Sequence, residues 1–111
     1  MVNRCAIVLT ARVPFIQWAN GLDPEGPRYE ECWVDDGPPI YLGPDADSLD
    51  DVMRFIRKNF DLFFEEQLDG WCTDPTLWPQ ARTYRMFTEW FAVRVHTVVI
   101  DTVDAPLEIE L

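Results

Sequence analysis

The chain has 111 residues, and its 20 acidic residues against 9 Lys and Arg give a formal net charge of −11 at pH 7. That length is typical of one domain, and the 48% of hydrophobic residues suffices for a core without disulfides or metals. A chain this negative is repelled by phosphate backbones and by anionic lipid surfaces. We therefore expect a single domain over residues 1–111 that binds neither nucleic acid nor membranes. The expected partner is a protein, and the negative charge favours a basic one.

The cysteines and the N-terminal region indicate a cellular location. Cys5, Cys32 and Cys72 are odd in number and lack C-x-x-C spacing, which favours reduced thiols over a disulfide framework or a zinc site. The apolar run over residues 5–11 is too short for a signal-peptide core or a membrane span. The sequence therefore predicts a soluble protein of the reducing cytoplasm.

The first half of the chain predicts two strands and a short helix. Residues 5–10 are apolar at both alternating positions, which is typical of a strand covered on both faces. Pro14 can open a short helix, for which Asn20-Gly21 is the stop signal. Ile40-Tyr41-Leu42 is bounded by Pro and Gly and predicts a short edge strand.

An irregular segment is predicted between that helix and the edge strand. Residues 22–39 contain six Pro or Gly residues, which interrupt regular structure. Residues 29–34, inside this segment, fit a short strand or one turn of helix. Both alternatives stay open.

One long amphipathic helix is the clearest predicted element. Ser48 and Asp51 form a capping signal, and apolar residues then recur at helical spacing as far as Leu68. The predicted helix ends near Asp69, and Gly70 is the expected left-handed residue beyond its end.

The C-terminal part predicts a turn, a helix and a long strand. Asp74-Pro75 opens the turn, and Thr83 can cap the helix. Residues 92–103 alternate with period 2, as a strand does. One parity of this strand holds Arg94, His96, Val98 and Ile100. Together these elements predict an α+β fold of two layers, a three-stranded sheet with helices mainly on one face, in which the first and last strands are neighbours.

Acidic residues at the end of the long helix oppose the helix dipole, which favours cations there. These residues are Glu65, Glu66 and Asp69, and Asp74 follows them. One interpretation is that Arg82 and Arg85 fold back and neutralise the carboxylates. The other is that the oxygens of Glu65, Asp69 and Asp74 bind Mg²⁺ or Ca²⁺, although their spacing matches no known calcium loop.

A turn with two tryptophans follows the acidic residues. Trp71 and Trp78 are expected to clamp this turn onto the core, with their indole N–H groups bonded to backbone oxygens. The alternative is that Cys72 is a nucleophile, which requires His96, the only histidine, as its base. The sequence has no glycine-rich phosphate loop and no paired histidines, and its single serine, Ser48, is a cap, so we expect no cofactor.

Several aromatic-rich stretches resemble a group of short, acidic hypothetical proteins from bacteria. They are Phe15-Ile-Gln-Trp-Ala-Asn20, Trp71-Cys-Thr-Asp74, Leu77-Trp-Pro79 and Phe87-Thr-Glu-Trp-Phe91 running into Val95-His96. The resemblance spans most of the chain and implies a stand-alone unit. It assigns no activity and no functional residue.

The sequence favours a non-enzymatic protein-interaction module that forms a homo-oligomer, because it carries more large apolar side chains than a two-layer core of this size needs. The strand parity of Arg94 and His96 is the candidate surface if the helices cover only the other face. The alternative is a small enzyme or cation-binding protein. Its site would lie near Glu65, Asp69, Cys72, Asp74 and His96. Mimicry of nucleic acid also fits the charge, but the acidic residues are spread along the whole chain.

Overall fold

The computed structural model describes residues 1–31 and 37–108. Within them lie three strands, β1 (Arg4–Ala11), β2 (Ile40–Pro44) and β3 (Phe91–His96). The α-helices there are α1 (Val13–Leu22), α2 (Leu49–Lys58), α3 (Phe60–Trp71) and α4 (Tyr84–Trp90), with 3₁₀ turns at Tyr29–Glu31 and Pro75–Leu77. This is the predicted α+β fold. Cys32, and residues 32–34 of the undecided segment, lie outside the described residues.

The sheet is antiparallel and has the strand order β2-β1-β3. Ile7 of β1 lies opposite Tyr41 of β2 and Val95 of β3. The first and last strands are therefore neighbours, and β2 is an edge strand, as predicted.

One face of the sheet carries the helices. Cys5, Ile7 and Leu9 of β1 are buried there, whereas Thr10, on the other face, is exposed. Tyr41 and other residues opposite the buried side chains pack into the same core. The predicted two-layer arrangement is confirmed. The expectation that β1 is covered on both faces is wrong, because there is only one layer of helices over the described sheet.

The predicted long helix is two helices. It stops after Lys58 and restarts at Phe60, and Asn59 between them has the non-helical backbone angles φ −117° and ψ 20°. The side-chain nitrogen of Asn59 donates to the Phe55 carbonyl at 2.9 Å, beside the backbone N–H of Asn59 at 3.0 Å. Local bonds of this kind favour Asn at helix ends rather than in helix interiors. The caps at Ser48 and Thr83 are confirmed, since their hydroxyls accept from the N–H groups three residues later.

Neither glycine that was expected to end a helix does so. Gly21 lies inside α1 and Gly70 inside α3, and no glycine among the described residues has a positive φ. At Gly70 the helix continues to Trp71, whose indole N–H donates to the Ala19 carbonyl at 3.0 Å. A tertiary contact therefore keeps this turn helical where the local signal predicts a stop.

The last strand is shorter than predicted. β3 ends at His96, so Val98 and Ile100 lie beyond it. β1 begins only at Arg4, and its pairing with β3 stops at Ala6 opposite His96. The backbone after β3 keeps one bond to the N-terminus, from Val2 N–H to Val99 O at 2.8 Å.

Two glycines give opposite predictions for the free energy of unfolding. A Cβ at Gly70 would meet no heavy atom within 4 Å, so Gly70→Ala should raise this free energy by up to about 1 kcal/mol, because alanine is the better helix former. A Cβ at Gly43 would lie 2.7 Å from Cys5 Sγ and 2.8 Å from Ile7 Cδ1. Gly43→Ala should therefore lower it by about 1–3 kcal/mol. Urea unfolding of both variants checks the signs, and destabilisation by Gly70→Ala would contradict the helical assignment.

Candidate functional site

Arg82 forms ion pairs with two carboxylates on α3. Its Nε donates to Asp61 Oδ1 at 2.7 Å, and one Nη donates to Glu65 Oε1 at 2.8 Å. The other Nη donates to the Pro79 carbonyl at 3.0 Å, so the guanidinium also holds the preceding turn. The hydrogen bond to Asp61 is the main cause that raises the pKa of Arg82. The predicted compensation is confirmed for Glu65. Sequence reasoning missed Asp61, although its i,i+4 spacing to Glu65 was a usable signal.

Arg85 does not join this network. Its Nε lies 3.2 Å from Glu89 Oε1 on the same helix, and both side chains are exposed. The prediction that Arg85 neutralises the end of α3 is therefore wrong, because Arg85 lies on the solvent side of α4. Glu66 and Asp69 are exposed, and neither makes an ion pair within the described ranges.

In the described part of the chain, the three proposed cation ligands Glu65, Asp69 and Asp74 do not form one metal-binding group. Asp74 caps its own 3₁₀ turn, where its Oδ1 accepts from the Thr76 hydroxyl at 2.7 Å and from the Thr76 N–H at 3.0 Å. These bonds lower the pKa of Asp74. Glu65 and Asp69 line a shallow groove together with Trp78. In residues 1–31 and 37–108, no group of three or more His, Cys, Asp or Glu side chains is placed to hold a metal ion. The hypothesis of a cation site thus gains no geometric support.

The tryptophan clamp is confirmed. Trp71 Nε1 donates to Ala19 O at 3.0 Å, and Trp78 Nε1 donates to Cys72 O at 2.7 Å. A third indole, that of Trp18 on α1, donates to Leu77 O at 3.0 Å. The turn after α3 is therefore fixed on both sides, which is a structural role for these rings.

The structure does not bring Cys72 and His96 together. The Cys72 thiol is partly buried and donates to the Asp74 carbonyl at 3.8 Å. His96 is exposed and lies opposite Ala6, on the face of the sheet away from the helices. Cys72 directly follows α3, which packs on the other face. A nucleophile–base pair needs hydrogen-bond contact, which this placement does not provide.

The uncovered face of the sheet is the second candidate site. We call it the open face, and it consists of Arg4, Ala6, Val8, Thr10, Ile40, Leu42, Pro44, Ala92, Arg94 and His96, which pair across the strands. Ile40 is 64% exposed and Leu42 is 58% exposed. These ten residues include two arginines and a histidine but no carboxylate. The open face is thus apolar on the β2 side and basic on the β3 side.

Sequence reasoning found only the β3 part of the open face. It identified Arg94 and His96, but it missed Ile40 and Leu42 on β2. The available signal was their shared parity, since Ile40 and Leu42 flank Tyr41 and must point away from it. The sequence does not show on which side of the sheet the helices lie.

Comparison with protein-family models, with curated proteins and with solved structures finds no match to this chain. None of the helices in the described parts of the chain is long and apolar enough to cross a bilayer.

The arginines offer a matched test of the network on α3. Arg82→Ala should lower the free energy of unfolding by about 2–3 kcal/mol, because hydrogen bonds to charged groups are lost from a side chain that is only 13% exposed. Arg85→Ala removes one exposed i,i+4 pair and should cost about 0.5 kcal/mol or less. Urea unfolding measures both values. Equal costs would show that the Arg82 contacts are no stronger than an ordinary surface pair.

Proposed function

We propose that this chain is a non-enzymatic protein-interaction module that self-associates through the open face. The observation that carries the proposal is the one-sided cover of the sheet, which leaves Ile40 and Leu42 exposed beside Val8. A contiguous apolar patch on a sheet face is the kind of surface that proteins use for association.

The charge of the open face indicates which part of a second copy would bind to it. Arg4 and Arg94 make the open face basic in a chain whose net charge is −11. Residues 97–108, after β3, combine acidic and apolar side chains. The exposed acidic residues are Asp101, Asp104 and Glu108, and the exposed large apolar residues are Val98, Ile100, Val103 and Leu107. This segment of one copy complements the open face of another in both charge and polarity.

Area favours an exchange of these segments over simple face-to-face packing. Three strands at about 4.8 Å spacing and roughly 17 Å length present only about 250 Å². Stable interfaces bury about 800 Å² on each partner. Reciprocal exchange of residues 97–108 about a two-fold axis adds the missing area, and it separates the basic faces of the two copies.

Sedimentation tests the role of the open face. The wild-type chain is expected to sediment at micromolar concentration as a dimer, twice its 13.0 kDa mass. Leu42→Asp should weaken dimerisation by tenfold or more, because it places an unpaired carboxylate on the face that would receive an acidic segment. Leu62→Asp is the matched control, since Leu62 is 62% exposed on α3, away from the open face. It should leave the dimer intact.

Reversing charges on both sides tests whether residues 97–108 of one copy bind the open face of another. Arg94→Asp should weaken the dimer, and so should the double change Asp101→Lys with Asp104→Lys. Combining all three changes should restore part of the affinity if these groups meet across the interface. A wild-type monomer at high micromolar concentration would refute self-association. A dimer that Leu42→Asp leaves unchanged would instead place the interface elsewhere.

A further inference from the structure

A small aromatic cavity lies between β2, α3 and the 3₁₀ turn at residues 29–31, and the function proposed above does not use it. Its volume is about 120 Å³, and rings of Tyr29, Tyr41 and Trp71 line it together with Glu66 and Gln67. Pockets for drug-sized ligands are usually about 300–1,000 Å³. This cavity is therefore of a size for a small headgroup rather than for a whole metabolite.

Hydrogen bonds hold two of the aromatic side chains in place. The Tyr41 hydroxyl accepts a bond from Gln67 Nε2 at 2.8 Å, and the Trp71 indole is anchored on Ala19 O at 3.0 Å. The Tyr29 and Trp71 rings lie 5.3 Å apart between centroids, tilted by 60°. Walls that are fixed before binding lower the entropy cost of holding a ligand.

The chemistry of the cavity favours a cation. Aromatic faces carry a negative quadrupole, which attracts a cation within about 6 Å of the ring centroid. Glu66 is exposed and makes no ion pair with another described residue, so it adds a full negative charge. Burial raises the pKa of Tyr41, which therefore offers a neutral ring at physiological pH. An anion would be repelled by Glu66 and by the net charge of −11.

We propose that this cavity binds an alkylated ammonium group, with Tyr41 and Trp71 supplying ring faces and Glu66 supplying the opposite charge. Such a group is the headgroup of a quaternary amine or the side chain of an N-methylated lysine. An unmodified ammonium is compact and strongly hydrated, so its transfer to aromatic walls costs more. Methylation removes N–H groups that the rings cannot satisfy and adds apolar contact.

Calorimetry with a charged ligand and its neutral isostere tests the proposal directly. Choline and 3,3-dimethylbutan-1-ol have the same shape and differ in charge. Choline should bind the full chain at least about tenfold more tightly than the alcohol, as a desolvated cation–π contact allows. Equal affinities, or no choline binding at millimolar concentration, would overturn the proposal.

Two substitutions on α3 separate the local role of Glu66 from the overall charge. Glu66→Gln should weaken choline binding by at least about threefold, because the opposite charge beside the cation is lost. Asp69→Asn removes the same charge from an exposed residue that does not line this cavity, and it should leave the affinity nearly unchanged. Equal losses would reveal long-range attraction alone and would overturn the assigned site.

The ring wall is tested at Tyr41. Tyr41→Phe keeps the ring and should retain binding, whereas Tyr41→Leu should reduce it by tenfold or more. A melting curve for each variant confirms that the compared proteins are folded. If the folded Leu variant binds choline as well as wild type, the rings do not form the site.

Peptides distinguish the two sources of the same headgroup. A peptide with one trimethyllysine that binds tenfold more tightly than choline assigns the site to a protein side chain. Affinity equal to or below that of choline assigns it to a free quaternary amine. An unmethylated peptide that binds as tightly as its trimethylated form would contradict recognition of the alkylated ammonium.

Discussion

The ring of Phe91 lies where the helices meet the sheet, and the arrangement of the layers depends on it. Its centroid is 5.1 Å from that of Phe15 on α1, 5.5 Å from that of Phe64 on α3 and 5.4 Å from that of Phe87 on α4. All four side chains are almost fully buried. Each such pair contributes about 0.5–1.5 kcal/mol beyond the burial of area. Because Phe91 is also the first residue of β3, these contacts place three helices on the same face of the sheet.

This one-sided cover determines the chemistry of the remaining surface. The helices pack their apolar stripes against the inner face of the sheet. Ile7 of β1 and Val52 of α2 have no exposed area there. In the described part of the chain, no helix is left to cover the apolar residues Ile40 and Leu42 on the other side. Since the open face is also free of carboxylates, the most apolar exposed strand surface is also a basic region of an acidic molecule. That combination is the basis of the proposed association with the acidic, apolar segment after β3.

Elements with strong local signals could be predicted from the sequence. The caps at Ser48 and Thr83 and the apolar periods on either side follow from local chemistry, and they survive in the fold. The break at Asn59 and the helical Gly70 could not be predicted in the same way. At Asn59 the backbone leaves the helical conformation inside an unbroken apolar pattern. At Gly70 the decisive contact joins Trp71 to Ala19, 52 residues away in the chain.

The candidate sites were harder to predict because they depend on side-chain direction across elements. Arg82 could be expected to meet an acidic residue of α3, but its bond to Asp61 required knowledge of how α3 packs. From the sequence, Cys72 and His96 could be combined as a nucleophile and its base. Only the placement of helices on one face shows that the sheet lies between their positions.

β2 links the two surfaces for which functions are proposed. Ile40 and Leu42 point to the open face, and Tyr41, between them, points into the aromatic cavity. A shift of one residue in its pairing would exchange these directions and disrupt both surfaces. Gly43 opposes such a shift, because only a residue without a Cβ fits against Cys5 and Ile7 at that position. A five-residue edge strand is thereby held in one register, although it has a single neighbouring strand.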